Sequence, residues 1–208
     1  MDNKRLTAAA TQEIEQPTFG VVSQFLEIHE IAYQDGKPVV AGITTDEVES
    51  QAVVYFTVKG EAFYFAVQLT TEPRVQVVWA DTAAFARVSF EAYSETHSLP
   101  QLLGFTRLFP TETDETPEGI SFLTFEPNPE PGTPEGKIKK LLTLLEQDAT
   151  GVKKLAENAN GAIRAYVVFH NGNTMLGGIV LGKSEIQRLA TLNLEINFDL
   201  YAAGNKFT

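Results

Sequence analysis

Residues 177–184 read Gly-Gly-Ile-Val-Leu-Gly-Lys-Ser, which matches the phosphate-loop pattern G-x-x-x-x-G-K-[ST] letter for letter and leads into a helical stretch. The chemistry would be nucleotide hydrolysis, with magnesium-dependent ATP binding that Lys183→Ala abolishes. Such a loop must be flexible, because its backbone amides wrap a phosphate. Here Ile179, Val180 and Leu181 favour a buried strand instead. Only 24 residues follow Ser184 in the 208-residue chain, room for one helix and one strand. A nucleotide-hydrolysing domain needs further strands and an acidic residue for magnesium. The segment is therefore expected to be strand, cap and helix, and no cofactor is expected.

Three histidines, His29, His97 and His170, are widely spaced, and none stands in an H-x-H or H-x-x-x-H arrangement. As alternate residues of one strand, Glu27 and His29 would face the same side about 7 Å apart. A carboxylate there could orient an imidazole, or both could share a metal. The competing account is a solvated strand face, since two ligands do not make a metal site, and no metal is expected. No two carboxylates are paired as a glycosidase requires, and neither G-x-S-x-G nor G-x-G-x-x-G occurs. The chain has no cysteine, which removes disulfides, thiolate metal sites and a cysteine nucleophile.

Charge supplies the remaining candidate. Sixteen basic against 27 acidic side chains leave −11, which repels phosphate backbones and anionic lipid heads. Nucleic acid and membrane are therefore not expected as partners. Glu112, Asp114, Glu115 and Glu118 concentrate acid in one loop and form a candidate face for a basic protein partner. Solubility is the other account of the same charge. No run of about 18 apolar residues occurs, and residues 1–16 hold too little apolar length for a signal peptide, so the reading is cytoplasmic. Oligomeric state is left open.

The elements that must position these groups read as α+β: an N-terminal antiparallel β-meander followed by an α/β sandwich with helices packed on one sheet. Residues 1–16 are expected to be mobile and 17–82 to form a β unit without helices. In that unit Asp35-Gly36 and Lys59-Gly60 are turns, and Phe63, Tyr64 and Phe65 point to both sheet faces. Residues 85–203 form the second unit, and 204–208 a tail. The second unit begins with a strand at 87–93, a short helix at 98–104 and, beyond the acidic loop, a strand at 120–125. After a proline-rich connector, Ile138, Leu141, Leu142 and Leu145 begin a helical period. Strands at 162–169 and 174–181 flank Asn171-Gly172 as a hairpin, and Ser184 with Gln187 forms a capping box. Leu194, Ile196, Phe198 and Leu200 alternate with Glu195, Asn197 and Asp199 as a strand with one buried face.

The stretch from Gly177 to Tyr201, a glycine-led strand entering a helix and then a last strand ending Asp199-Leu200-Tyr201, resembles the end of the bacterial family DUF4279, a domain of unknown function. The similarity extends back to Arg87 through Leu102-Leu103-Gly104 and Pro110-Thr111. It implies strand, cap and helix at 177–192. The family brings no catalytic residues, and its members stand near toxin and immunity genes. The expectation is thus a binding or interaction protein, in sharper form an immunity-type inhibitor of a basic partner. The alternative is a small-ligand binder or enzyme using a cleft between the two units, with Glu27 and His29 as its groups.

Overall fold

The computed structural model describes residues 2–172 and 178–206. It opens with a helix where the sequence reading places a mobile leader: α1, Asn3–Glu15, capped by Asp2, whose carboxylate accepts from Lys4 N at 3.0 Å. Alanines at 8–10 favour helix, and Leu6, Ala10 and Ile14 recur on one face and bury fully. A second helix, α2, Gly20–Ile28, overturns the helix-free reading of 17–82. Val22 and Phe25 are buried while Val21 and Leu26 pack at the margin, a helical period that β-branched composition disguised. Buried Glu13 fixes the turn between the helices by accepting from Thr18 N at 2.7 Å and Phe19 N at 2.9 Å.

The meander follows. Strands β1, Tyr33–Gln34, and β2, Lys37–Pro38, turn at Asp35-Gly36 with φ of 52° and 74°, the two positive angles of a type I′ turn. Strands β3 (Val40–Asp46), β4 (Gln51–Thr57), β5 (Tyr64–Thr70) and β6 (Gln76–Ala83) pair antiparallel in chain order. The link at Lys59-Gly60 is longer than a two-residue turn, spanning 58–63. Val54 opposite Val67 and Phe56 opposite Phe65 face α1 and α2, closing the first core.

Only Ala84 separates β6 from β7, Phe85–Ser94, so the chain passes straight from the edge of one sheet to the middle of another. The second sheet runs β11-β10-β7-β9-β8. Its members are β8 (Glu112–Glu115), β9 (Ser121–Phe125), β10 (Ala162–His170) and β11 (Ile196–Ala203). Helices α3 (Leu99–Leu103), α4 (Pro134–Leu145), α5 (Ala149–Asn158) and α6 (Lys183–Leu192) form one layer against it. Ile138, Leu141, Leu142, Leu145, Val152 and Leu155 bury completely against Val88, Phe90, Leu123, Phe125, Ile163 and Ala165. The protein is α+β, a meander followed by helices on one sheet.

Asp148, at the break between α4 and α5, fastens this layer. Its carboxylate accepts from Thr106 Oγ1 at 3.0 Å, Arg107 N at 2.7 Å and Gly151 N at 3.3 Å.

Three expectations for this half are corrected. The acidic loop at 111–119 contains an edge strand, β8, whose partner β9 supplies the hydrogen bonds that its poor β-formers do not invite. Asn171-Gly172 does not join β10 to a hairpin partner at 174–181: both sides of β10 are taken, by β7 antiparallel and β11 parallel, and residues 178–181 are in no strand. Residues 174–177 of that expected strand lie outside the described residues. Helix α6 is capped by Gly182 rather than Ser184, which falls inside the first turn.

Candidate interaction surface

With its helices all on one side, the five-stranded sheet presents the other to solvent. Strand register decides what stands there. Phe85, Arg87, Ser89, Glu91 and Tyr93 of β7 share this face with Arg164 and Tyr166 of β10, and with Asn197, Asp199 and Tyr201 of β11. Phe122 and Thr124 of β9 continue it to Asp114 and Glu112 of β8. A hollow of about 440 Å³ on this face is lined by Phe85, Arg87, Ser89, Glu91, Arg164, Tyr166 and Asp199.

Both arginines are engaged by acids. Arg87 Nε donates to Glu126 at 2.8 Å and Arg87 Nη2 lies 3.9 Å from Glu112, while Arg164 Nε meets Glu91 at 2.9 Å. Asp199 has no ion pair among the described residues, and the face as a whole keeps an acidic excess. The four acids singled out by sequence are therefore divided. Glu112 and Asp114 project on the open face, Glu115 points to the opposite side of β8, and Glu118 stands in the turn before β9; all four are exposed.

Aromatic rings form a row across both sheets: Tyr55 to Tyr64 at 6.0 Å, Tyr64 to Phe85 at 6.2 Å, Phe85 to Tyr166 at 6.1 Å and Tyr166 to Tyr201 at 4.9 Å between centroids. The row begins buried at Tyr55 and ends with Tyr166 and Tyr201 exposed. Of the triplet Phe63, Tyr64 and Phe65, Tyr64 joins this row while the two phenylalanines are buried on the α2 side.

Glu27 and His29 do not share a face. They lie at the end of α2 rather than on a strand, so two residues of separation turn them to nearly opposite sides; Glu27 is exposed and His29 buried. His29 instead meets His170, the last residue of β10, with their Nε2 atoms 3.0 Å apart. Asn205 clamps the pair: its N–H donates to His29 Nε2 at 3.2 Å, its carbonyl lies 2.8 Å from His170 Nε2, and its side chain donates to Ile28 O at 3.0 Å. Of the expected tail at 204–208, the described residues 204–206 are pinned through Asn205, and 207–208 lie outside the described residues. Gly204 precedes it at φ 86°, with no room for a Cβ between Phe63 and His29.

An amide pointing at His29 Nε2 makes that nitrogen an acceptor and puts the ring proton of neutral His29 on Nδ1. His170 Nε2 then carries the proton between the rings. Burial holds the His170 pKa below its ordinary value, the charge of His29 adds to this, and the Asn205 carbonyl, Asp81 and Glu61 oppose it. The amide aimed at the His29 lone pair also occupies the position a metal would need, and no group of three or more metal-ligating side chains exists among the described residues. Thus the pair is a joint between α2, β10 and the chain end. Nothing local to either histidine in sequence announces it.

A cleft of about 390 Å³ does separate the two units, but away from both histidines. Thr44, Asp46 and Tyr55 line one wall, and Asn128, Lys137 and Lys140 the other. The buried Lys137 ammonium donates to Asn128 O at 3.0 Å; burial lowers its pKa, against the pull of Glu126 and Glu130.

At the phosphate-loop pattern, Gly177 lies outside the described residues. Beyond it, Val180 N donates to Glu135 Oε1 at 3.0 Å, and Ile179 and Leu181 pack on the helical core. A carboxylate thus holds an amide that the motif would turn to phosphate.

A family model, Domain of unknown function (DUF4279), matches residues 84–203, beginning at the residue between β6 and β7. No curated protein and no solved structure matches the chain. No described helix is long and apolar enough to cross a membrane.

Proposed function

Because this chain belongs to the DUF4279 family, a domain of unknown function, we propose that it is a binding protein which receives a lysine- and arginine-rich protein surface on the open face of its five-stranded sheet. One observation carries this reading: the sheet keeps all its helices on one side and shows on the other exposed tyrosines, arginines already paired to acids, and an excess of carboxylates running out to β8. Aromatic and arginine side chains supply interface anchors, and surrounding acid steers a cation-rich partner and selects against an anionic one. In its sharper form the protein is a cytoplasmic immunity-type inhibitor that covers the basic working surface of a toxin.

Register makes the test specific. The full-length protein, immobilised in a lysate of its native host, should retain a basic protein, and Glu112→Gln with Asp114→Asn should weaken that retention roughly tenfold and flatten its salt dependence. Glu115→Gln with Glu118→Gln removes the same charge away from the face and should leave retention near the wild-type level. Equal losses from the two variants would reduce the effect to net charge and defeat the assignment of the face.

The cleft supports a second reading, a small anionic ligand held between Lys140 and the threonine-lined wall. A ligand at about 100 times its dissociation constant adds about 2.7 kcal/mol, which should raise the thermal midpoint by roughly 5–10 °C. A panel of carboxylate and phosphate metabolites that leaves the midpoint flat removes this reading.

A further inference from the structure

We propose that the protein is a symmetric dimer whose two copies pair antiparallel along the free edges of β11, centred on Leu200, joining two five-stranded sheets into one of ten.

Natural sheets guard their edges, since an unpaired strand is a template for another chain. Three of the four edges of the two larger sheets are guarded. β8 carries Glu112, Asp114 and Glu115, β3 has a register break between Val40 and Gly42, and β6 bulges opposite Gln68 and Leu69. β11 has none of these. It pairs with β10 without a break over its whole length, contains no proline or lysine, and carries one charge, Asp199. No strand among the described residues pairs with its outer side.

The side chains point the same way. Strict alternation of Ile196, Phe198 and Leu200 calls for a buried face, and register with Ala165 and Val167 puts Phe198 and Leu200 on the helix side of the sheet. Yet Phe198 is 37% and Leu200 54% exposed. A single copy leaves uncovered what the alternation predicts to be covered, and a second copy laid along the edge supplies the missing wall.

Backbone parity fixes the register. The carbonyls of Glu195 and Ala203 accept from Ile163 N and Asn171 N, so odd-numbered residues of β11 turn their polar groups to β10. Even-numbered residues, Phe198, Leu200 and Ala202, therefore turn theirs outward. Two registers about a two-fold axis use nearly the full strand. One places Asp199 against Asp199 of the other copy, like charges directly opposite in a close pair. The other is centred on Leu200: Leu200 meets its own copy, Phe198 meets Ala202, and Asp199 meets Tyr201. The second keeps apolar residues together on the helix side and separates the two aspartates.

The test uses the full chain, which has no cysteine of its own. Sedimentation at about 50 µM should return twice the chain mass, and Leu200→Lys should return a monomer with unchanged far-ultraviolet circular dichroism. Under mild oxidation Leu200→Cys should cross-link to itself readily, whereas Asp199→Cys should do so at least about tenfold more slowly. A wild-type monomer at that concentration overturns the proposal, as does a dimer that Leu200→Lys leaves intact. Faster self-cross-linking of Asp199→Cys than of Leu200→Cys overturns the register. None of these variants touches Glu112 or Asp114, so this result and that of the partner-binding test are read separately.

Discussion

Asp148→Ala is expected to lower stability by about 3–4 kcal/mol. The side chain is 6% exposed and its two oxygens serve Thr106, Arg107 and Gly151, so truncation strands three donors in a dry site and removes the cap of α5. The fit is close enough that Gly151 has no room for a Cβ, which would overlap this carboxylate and the Phe105 carbonyl. Asp148→Asn keeps one acceptor and should cost about half as much. Burial would raise the Asp148 pKa, but the Arg107 amide, the Thr106 hydroxyl, the Gly151 amide and the Arg107 charge together hold it below the ordinary 3.8. Its contribution is thus present above the unfolded pKa and lost as pH falls through the folded one. Urea midpoints at pH 7 rank the variants, and a wild-type loss of stability below pH 4 that is shallower in Asp148→Asn checks the sign. Losses under about 1 kcal/mol for Asp148→Ala would show that the helix layer is held by packing alone.

Acid should also open the histidine joint, at a higher pH. A folded-state pKa below 6.5 for His170 means that the unfolded chain takes up the proton first. The stabilisation is full above about pH 6.5 and is lost as pH falls beneath it. A proton added to the His170 ring puts a charge in a buried site against His29. The urea midpoint should therefore fall between pH 7.5 and pH 5. Asp81 and Glu61 moderate the fall without reversing it, since they oppose a shift whose net direction is already downward. In His170→Phe the pH dependence over this range should flatten, whatever the change in absolute stability. A slope identical to wild type would place the titration elsewhere.

Local pattern carried much of this architecture. β4, β5, β9 and β10 were readable from β-branched and aromatic runs between turns, α3 from Ser98, Pro100 and Gly104, and α4 and α5 from leucines at helical spacing. Composition misled where it opposed period: α2 buries Val22 and Phe25, residues that read as strand, and α1 is built on alanines too weakly apolar to announce packing. β8 was hidden because threonine between acids resembles a loop until β9 is beside it. The candidate surface was half visible. Sequence singled out Glu112 and Asp114 but not Glu91 or Asp199, and only the β8–β9 register separates the first two from Glu115. The His29–His170 joint spans 141 positions, and no local signal links residues so far apart.

The single residue between β6 and β7 sets how the molecule carries load. Domains commonly meet through pliant linkers that let one swing against the other. Here a tug on the four-stranded sheet passes along 76–94 through Ala84 into the central strand of the other, with the His29–His170 pair as a second tie between the two units. The match to DUF4279 begins at that joint, so cutting the chain there would sever the strand through which the N-terminal sheet transmits force to the family domain.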